Sequence, residues 1–508
     1  MSNFMKNSRL RLISGSAVTM LLLSGCMVGP KYHVPPATAT APPAAYKEST
    51  TQFQDADGWK VAQPQDAMLH GKWWEIYNDP ELNALEEKLN IDNQNIRQFF
   101  ENFLEARTLV AQARSQLYPT VGVSLSYSAA RTSTNLSNSP SANPGRVSSI
   151  GSLPFDLSWE PDLWGKIRNT IHEQQYNAQL SAADLENEKL TEQASLAEFF
   201  FEIRGQDALQ KLLDETVEAD KKALELARAR YETGVDMRIS VAEAEATLAN
   251  VQSQATNLGV ARAQFEHAIA VLVGVNASQF SIPVKPLLTN PPAIPVGLSS
   301  ALLERRPDIA AAERRMAAAN AQIGIAYAAY YPSLSLSASY GYESTNFSHF
   351  FDSPSRFWSV GPTMSETIYD GGLRRATVNQ FITTYNADVA SYRQTVLTGF
   401  QQVEDSLSSV RILSQQILKQ EQAVKSSEEV LQLEQYRYQT GLDPYLDVVT
   451  AQTTLLGNQQ TLANLHVQEM TASVQLIEAL GGGWDRSQLP TPADVSKKLN
   501  QSERSIQQ

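Results

Sequence analysis

The chain has 508 residues, 41 Lys and Arg against 54 Asp and Glu, a net charge of -13 and 42% hydrophobic residues. Its length allows two or three ordinary domains or one extended body, and a mean hydropathy of -0.29 excludes a polytopic inner-membrane bundle. The acidic balance excludes a nucleic-acid partner, which needs clustered Lys and Arg. One cysteine excludes intrachain disulfides and zinc sites built on several Cys, and the six histidines are scattered, so no metal site is expected.

At the N-terminus, Lys6, Arg9 and Arg11 precede an apolar run over residues 12–23. That run is shorter than the roughly 20 residues a membrane-spanning helix needs; it fits a signal-peptide core. It ends in Leu23-Ser24-Gly25-Cys26, which resembles a bacterial lipobox. The resemblance implies a signal peptide over 1–25 and a covalent lipid on Cys26, with no other cofactor. Met27 in place of Asp favours the outer membrane. Residues 26–80 contain Pro30, Pro35, Pro36, Pro42 and Pro43 among small residues and are expected to form a lipidated extended tether.

The rest of the chain is written twice. Arg230-Tyr231-Glu232-Thr233-Gly234-Val235-Asp236 returns as Arg437-Tyr438-Gln439-Thr440-Gly441-Leu442-Asp443, an offset of about 207 residues. Leu117-Tyr118-Pro119 returns as Tyr330-Tyr331-Pro332, and Tyr176-Asn177-Ala178 as Tyr385-Asn386-Ala387. The period far exceeds the 20–50 residues of a solenoid. It defines a first half over 81–275, a connector over 276–304 with five prolines, and a second half over 305–484. A mobile polar tail is expected over 485–508.

Each half predicts a helix, two strands, a long helix and a shorter helix. Val121, Val123, Leu125 and Tyr127 alternate with Gly and Ser, as do Leu334, Leu336, Ala338 and Tyr340. Leu153, Phe155, Leu157 and Trp159 extend the pattern, and Trp358, Val360, Pro362 and Met364 are its weaker counterpart. Period two means strands with one apolar and one small polar face. Residues 166–231 and 373–438 contain no proline, and Val217, Leu224 and Tyr231 are seven apart, as are Val410, Ile417, Val424, Leu431 and Tyr438. That spacing marks coiled-coil-like packing, and helices of this length extend about 100 Å at 1.5 Å per residue. Shorter helices are predicted at about 81–117, 237–275, 305–331 and 445–480. Four strands cannot close a barrel in hydrocarbon, so the chain must oligomerise if its strands span a membrane; a trimer supplies twelve.

Taken in order, the chain resembles the TolC-like outer-membrane factors of tripartite efflux, in their lipoprotein (OprM-like, NodT-like) branch. Besides Cys26, the resemblance rests on Trp73-Trp74 with Tyr77-Asn78-Asp79-Pro80, on Trp159-Glu160-Pro161-Asp162-Leu163-Trp164-Gly165-Lys166, on Arg305-Arg306-Pro307-Asp308-Ile309, and on the two Arg-Tyr-x-Thr-Gly turns. It implies a mixed α and β membrane protein: a homotrimer whose twelve-stranded outer-membrane barrel continues as a periplasmic α-helical barrel. It also implies a passive exit duct for drugs or other small toxic compounds. The implied partners are a periplasmic adaptor and a proton-driven inner-membrane transporter of the resistance-nodulation-division class. No phosphate loop, metal spacing or nucleophile elbow argues for an enzyme. The alternatives are a structural trimeric coiled-coil lipoprotein, or a protein-secretion duct with an ATP-driven partner.

By resemblance, the turns at 231–243 and 438–450 form the periplasmic tip, with Gly234, Val235, Gly441 and Leu442 as adaptor contacts. On their own terms, Gly234 and Gly441 read as helix C′ residues at positive φ. Asp443, before Pro444 and a new helix, reads first as an N-cap; Asp236 reads either way. Asp447, one turn into that helix, matches a position where the family carries an acidic ring, and such a ring selects cations. Thr450, Asp443 and Ser240 depart from the pattern of known gate bonds. The gate candidates are therefore Asp447, Asp443 and Asp236 with Arg238, Tyr231 and Tyr438, and Arg230 and Arg437 as further donors.

Overall fold

The computed structural model describes residues 27–38, 46–47, 71–131, 133–135, 145–287, 291–292, 294 and 302–497. The signal peptide, Cys26 and residues 498–508 lie outside them. In chain order the main elements are α1 (Pro80–Asp92), α2 (Gln94–Ser115), β1 (Thr120–Val123), β2 (Ser126–Arg131), β3 (Val147–Trp159), α3 (Lys166–Glu232) and α4 (Arg238–Leu272). The second half supplies α5 (Pro307–Ala328), β4 (Ser333–Ser344), β5 (Arg356–Ser365), α6 (Leu373–Gln439) and α7 (Tyr445–Ala479), and α8 (Pro492–Val495) follows.

The strands form one antiparallel sheet in the order β1/β2–β3–β4–β5. β1 and β2 are one strand path in a single register: Val123 faces Phe155 and Ser126 faces Ser152. The ladder lapses because Pro154 has no N–H to return the bond that Ser124 donates to its carbonyl. Cross-strand partners share a face, so the register sorts the side chains. Val121, Leu157, Ala338 and Val360 lie in one row, and Val123, Phe155, Tyr340 and Trp358 in the next. The opposite face carries Ser158, Ser337, Gly361, Asp156, Ser339 and Ser359. The apolar row stays open: Val121, Val360 and Trp358 are 70–75% exposed.

The two 67-residue helices α3 and α6 start alike. Asp162 accepts the N–H groups of Ile167 and Arg168 and pairs with Arg168 Nε at 3.0 Å. Asp370 accepts those of Gly372 and Arg374 and pairs with Arg374 Nε at 2.7 Å. Each carboxylate satisfies the donors that an uncapped helix end leaves free. The predicted helix at 81–117 is instead two helices, because Asn93 breaks it and caps the second through a bond from Ile96 N–H, 2.9 Å.

The main core lies midway along the long helices. The turn Trp73–Tyr77 drives its aromatic rings between α3 and α7, where Trp73, Leu82, Phe200, Ile203, Leu407 and Ile477 are buried. Tyr77 OH meets Ser473 Oγ at 2.7 Å. Arg306 chelates Asp308 and donates to Ala479 O and Gln402 Oε1, which ties the start of α5 to α6 and α7.

Two expectations about the termini are corrected. Residues 27–38 are not a free tether but a strap on α5, with Tyr32 OH donating to Glu313 Oε1 at 2.5 Å. Gly29 and Gly324 touch so closely that a Cβ on Gly29 would stand 2.6 Å from Gly324 Cα. Residues 485–497 do not hang free but pack on the helices: Gln179 donates to Pro490 O at 2.8 Å, Arg114 to Ser496 O at 3.0 Å, and Val495 is buried against Val110 and Ala178. Arg486 reaches Glu313 Oε2 at 3.4 Å, so both straps meet at one residue.

Candidate functional site

The far ends of the long helices turn back as two hairpins, α3–α4 and α6–α7. Val235 N–H donates to Arg230 O and Gly234 N–H to Tyr231 O; Leu442 N–H donates to Arg437 O and Gly441 N–H to Tyr438 O. These are paired Schellman closures, with Gly234 at φ +76° and Gly441 at φ +78° as the spacing predicts. Between the hairpins, Leu224, Ala227, Val241, Ala244, Tyr438, Tyr445 and Val448 form a separate small core.

One polar node crosses this core. Asp236 Oδ2 accepts from Tyr438 OH at 2.6 Å, between residues 202 apart in sequence. Its Oδ1 accepts from Met237 N–H and Ser240 Oγ, both at 2.8 Å. Arg230 Nε lies 3.7 Å from Asp236, its guanidinium sits 4.6 Å from the Tyr438 ring centre, and Nη1 donates to Gln439 O at 3.2 Å. Burial pushes the Asp236 carboxyl up, but the bonds from Tyr438, Ser240 and Met237 and the Arg230 charge outweigh it, so its pKa falls below the ordinary 3.8. Burial, then the bond to Asp236, pushes the Tyr438 hydroxyl well up.

The duplicate positions do not repeat the node. Asp443 forms a two-bonded ion pair with Arg437, which holds its pKa down. It makes no N-cap bond: the cap position of α7 is Pro444, with no side-chain capping. Arg238 turns outward to Glu245 at 3.6 Å, and Tyr231 is 45% exposed where Tyr438 is 4% exposed. Neither joins the node. Asp447 is exposed, and its carboxylate lies within 4.8 Å of those of Glu434 and Asp443. Val235 and Leu442 project into solvent at the turns.

Sequence reasoning missed Asp220. It is 3% exposed on α3, its Oδ2 has no partner, and burial pushes it up to about 6. Its charge acts on the buried Tyr445 of the other hairpin. The signal was present: Leu213, Asp220 and Ala227 are seven apart, a second buried seam interrupted by a carboxylate.

A sheet with an apolar outer face, continued by paired 67-residue helices, defines a membrane channel of strands and helical tunnel. A family model described as outer membrane efflux protein matches residues 87–275 and 298–482. The chain belongs to the outer membrane efflux protein family. It is 30% identical to the outer membrane protein OprJ of Pseudomonas aeruginosa over 478 residues, 92% of this chain and 94% of that one. It is 30% identical to the toluene efflux pump outer membrane protein TtgI of Pseudomonas putida over 480 residues, 92% and 98% of the two. The solved outer-membrane channel OprN superposes with a TM-score of 0.80 at 28% identity, covering 90% of this chain and all of that one. The chain is thus an outer-membrane efflux channel with a periplasmic helical tunnel, and not an enzyme.

Proposed function

We propose that the chain is a homotrimeric exit duct for small toxic compounds, held shut at its periplasmic tip by the Asp236–Tyr438–Arg230 node. The bond between Asp236 and Tyr438 carries this reading, because it joins the two hairpins that must separate for the tunnel to widen. The open sheet supports an oligomer, because β1/β2 and β5 leave two unpaired edges that hydrocarbon does not tolerate, and three copies would supply the twelve strands of this reading. Around a threefold axis the hairpins alternate, so Asp443 and Tyr231 stand at the seam between protomers where Asp236 and Tyr438 stand within one. Three copies of Asp447 form an acidic ring near the aperture that favours cations.

In this reading the exposed turns at Gly234, Val235, Gly441 and Leu442 meet a periplasmic adaptor. A proton-driven inner-membrane transporter supplies energy and selects cargo. Relatives named for toluene and antibiotic efflux support drugs or other small toxic compounds as that cargo. Cys26 carries the lipid. Single-channel recording of the purified protein tests the gate: Tyr438→Phe should raise the conductance several-fold, and an unchanged conductance would refute the node as the closing element.

A further inference from the structure

The N-terminal strap borders a groove that the duct does not use. Val28 and Pro30 form one rim, and Ile323, Tyr331, Ile382 and Tyr385 line walls built by the α5 and α6 ends, around about 560 Å³. The groove lies at the membrane end of the helices. Val28 N–H donates to Trp164 O at 3.0 Å, Trp164 stacks on Tyr331 at 4.8 Å, and Trp164 Nε1 donates to Pro332 O at 2.8 Å, the residue before β4. Asn320 holds Pro30 O at 3.0 Å and Asn169 holds Val28 O at 3.1 Å, so the strap is fixed where it meets the groove.

The duplication offers a comparison. The matching groove of the first half, between α2 and α3, is lined by Arg114, Arg168, His172 and Lys497 and is bordered by the C-terminal strap. The first carries charged side chains already bonded to neighbours, Arg168 to Asp162 and Lys497 to Asp494, whereas no charged side chain lines the second. Met27 lies against Gly165 beside the apolar one, and Cys26 is the residue that precedes it in the chain. An occupant of the apolar groove should be long, uncharged and tethered at the Met27 end.

We infer that one acyl chain of the lipid on Cys26 lies in this groove and not in the bilayer, locking the N-terminal strap onto α5 and α6. The inference rests on the reading of Cys26 as acylated. To test it, cells are fed a fatty acid with a diazirine on its chain, and the full-length lipoprotein is irradiated in native membranes. Peptide mass spectrometry then maps the adducts. Intramolecular cross-links to residues 320–331 and 382–386 are expected, and Ile382→Ser should cut their yield several-fold while heat-resistant oligomer persists. Cross-links confined to phospholipid or to the outward strand face, or a yield unchanged by Ile382→Ser, would overturn the seat. The mass of the N-terminal peptide separates the two failures. An unmodified Cys26 refutes the lipoprotein reading, whereas an acylated Cys26 without groove cross-links refutes only the seat.

Discussion

Asp236 and Asp220 stand at the same tip and respond to protons in opposite senses. The Asp236 pKa is depressed, so its link contributes stability above the ordinary 3.8 and loses it as pH falls through the lower folded value. The tip should therefore stay shut from neutral pH to about pH 5 and loosen only in stronger acid. Channel conductance recorded over a pH series checks this. Asp220 is raised to about 6, so its contribution is complete below 3.8 and is lost as pH rises through about 6. At pH 7 it is a buried carboxylate with one oxygen unpartnered. Asp220→Asn should flatten the pH dependence of tip stability between pH 5 and 7, read by hydrogen exchange at residues 220–235 and 438–448. Protection factors, which correct for the faster intrinsic exchange at higher pH, that are larger in wild type at pH 7 than at pH 5 would contradict it.

At the scale of elements, period and register decide the outcome. Val360 points to the apolar side of the sheet and Ser359 to the other. Arg placed at 360 should cost about 2–4 kcal/mol if the row faces lipid at mid-depth, whereas Ser359→Arg should be tolerated; heat resistance of the assembled protein compares them. In the helical core, Phe200 is fully buried, and Phe200→Ala should cost about 3–5 kcal/mol in a denaturant series. Most of this level was legible in the sequence: alternation gave the strands, missing prolines gave the long helices, and Gly234 and Gly441 gave the turns. The break at Asn93 was not legible, because one capping side chain outweighed a helical pattern that runs through it. The straps were not legible either. Tyr32 and Val495 are isolated anchors on segments with no repeating pattern, and isolated anchors leave no period.

For the whole molecule, the duplication predicts a symmetry that the tip then breaks. Arg230, Tyr231 and Asp236 correspond to Arg437, Tyr438 and Asp443. Yet Asp236 reaches across to Tyr438 while Asp443 stays with its own Arg437. Sequence spacing places these residues at two turns and cannot say which aspartate crosses, since the choice depends on how the hairpins lie side by side. The central claim is that this crossing bond closes an efflux channel. Its most direct test is single-channel conductance of the membrane-inserted protein, wild type beside Tyr438→Phe and Asp236→Asn. A small, cation-selective wild-type conductance that rises several-fold in both variants is predicted. No channel from inserted protein, or three equal conductances, would contradict it.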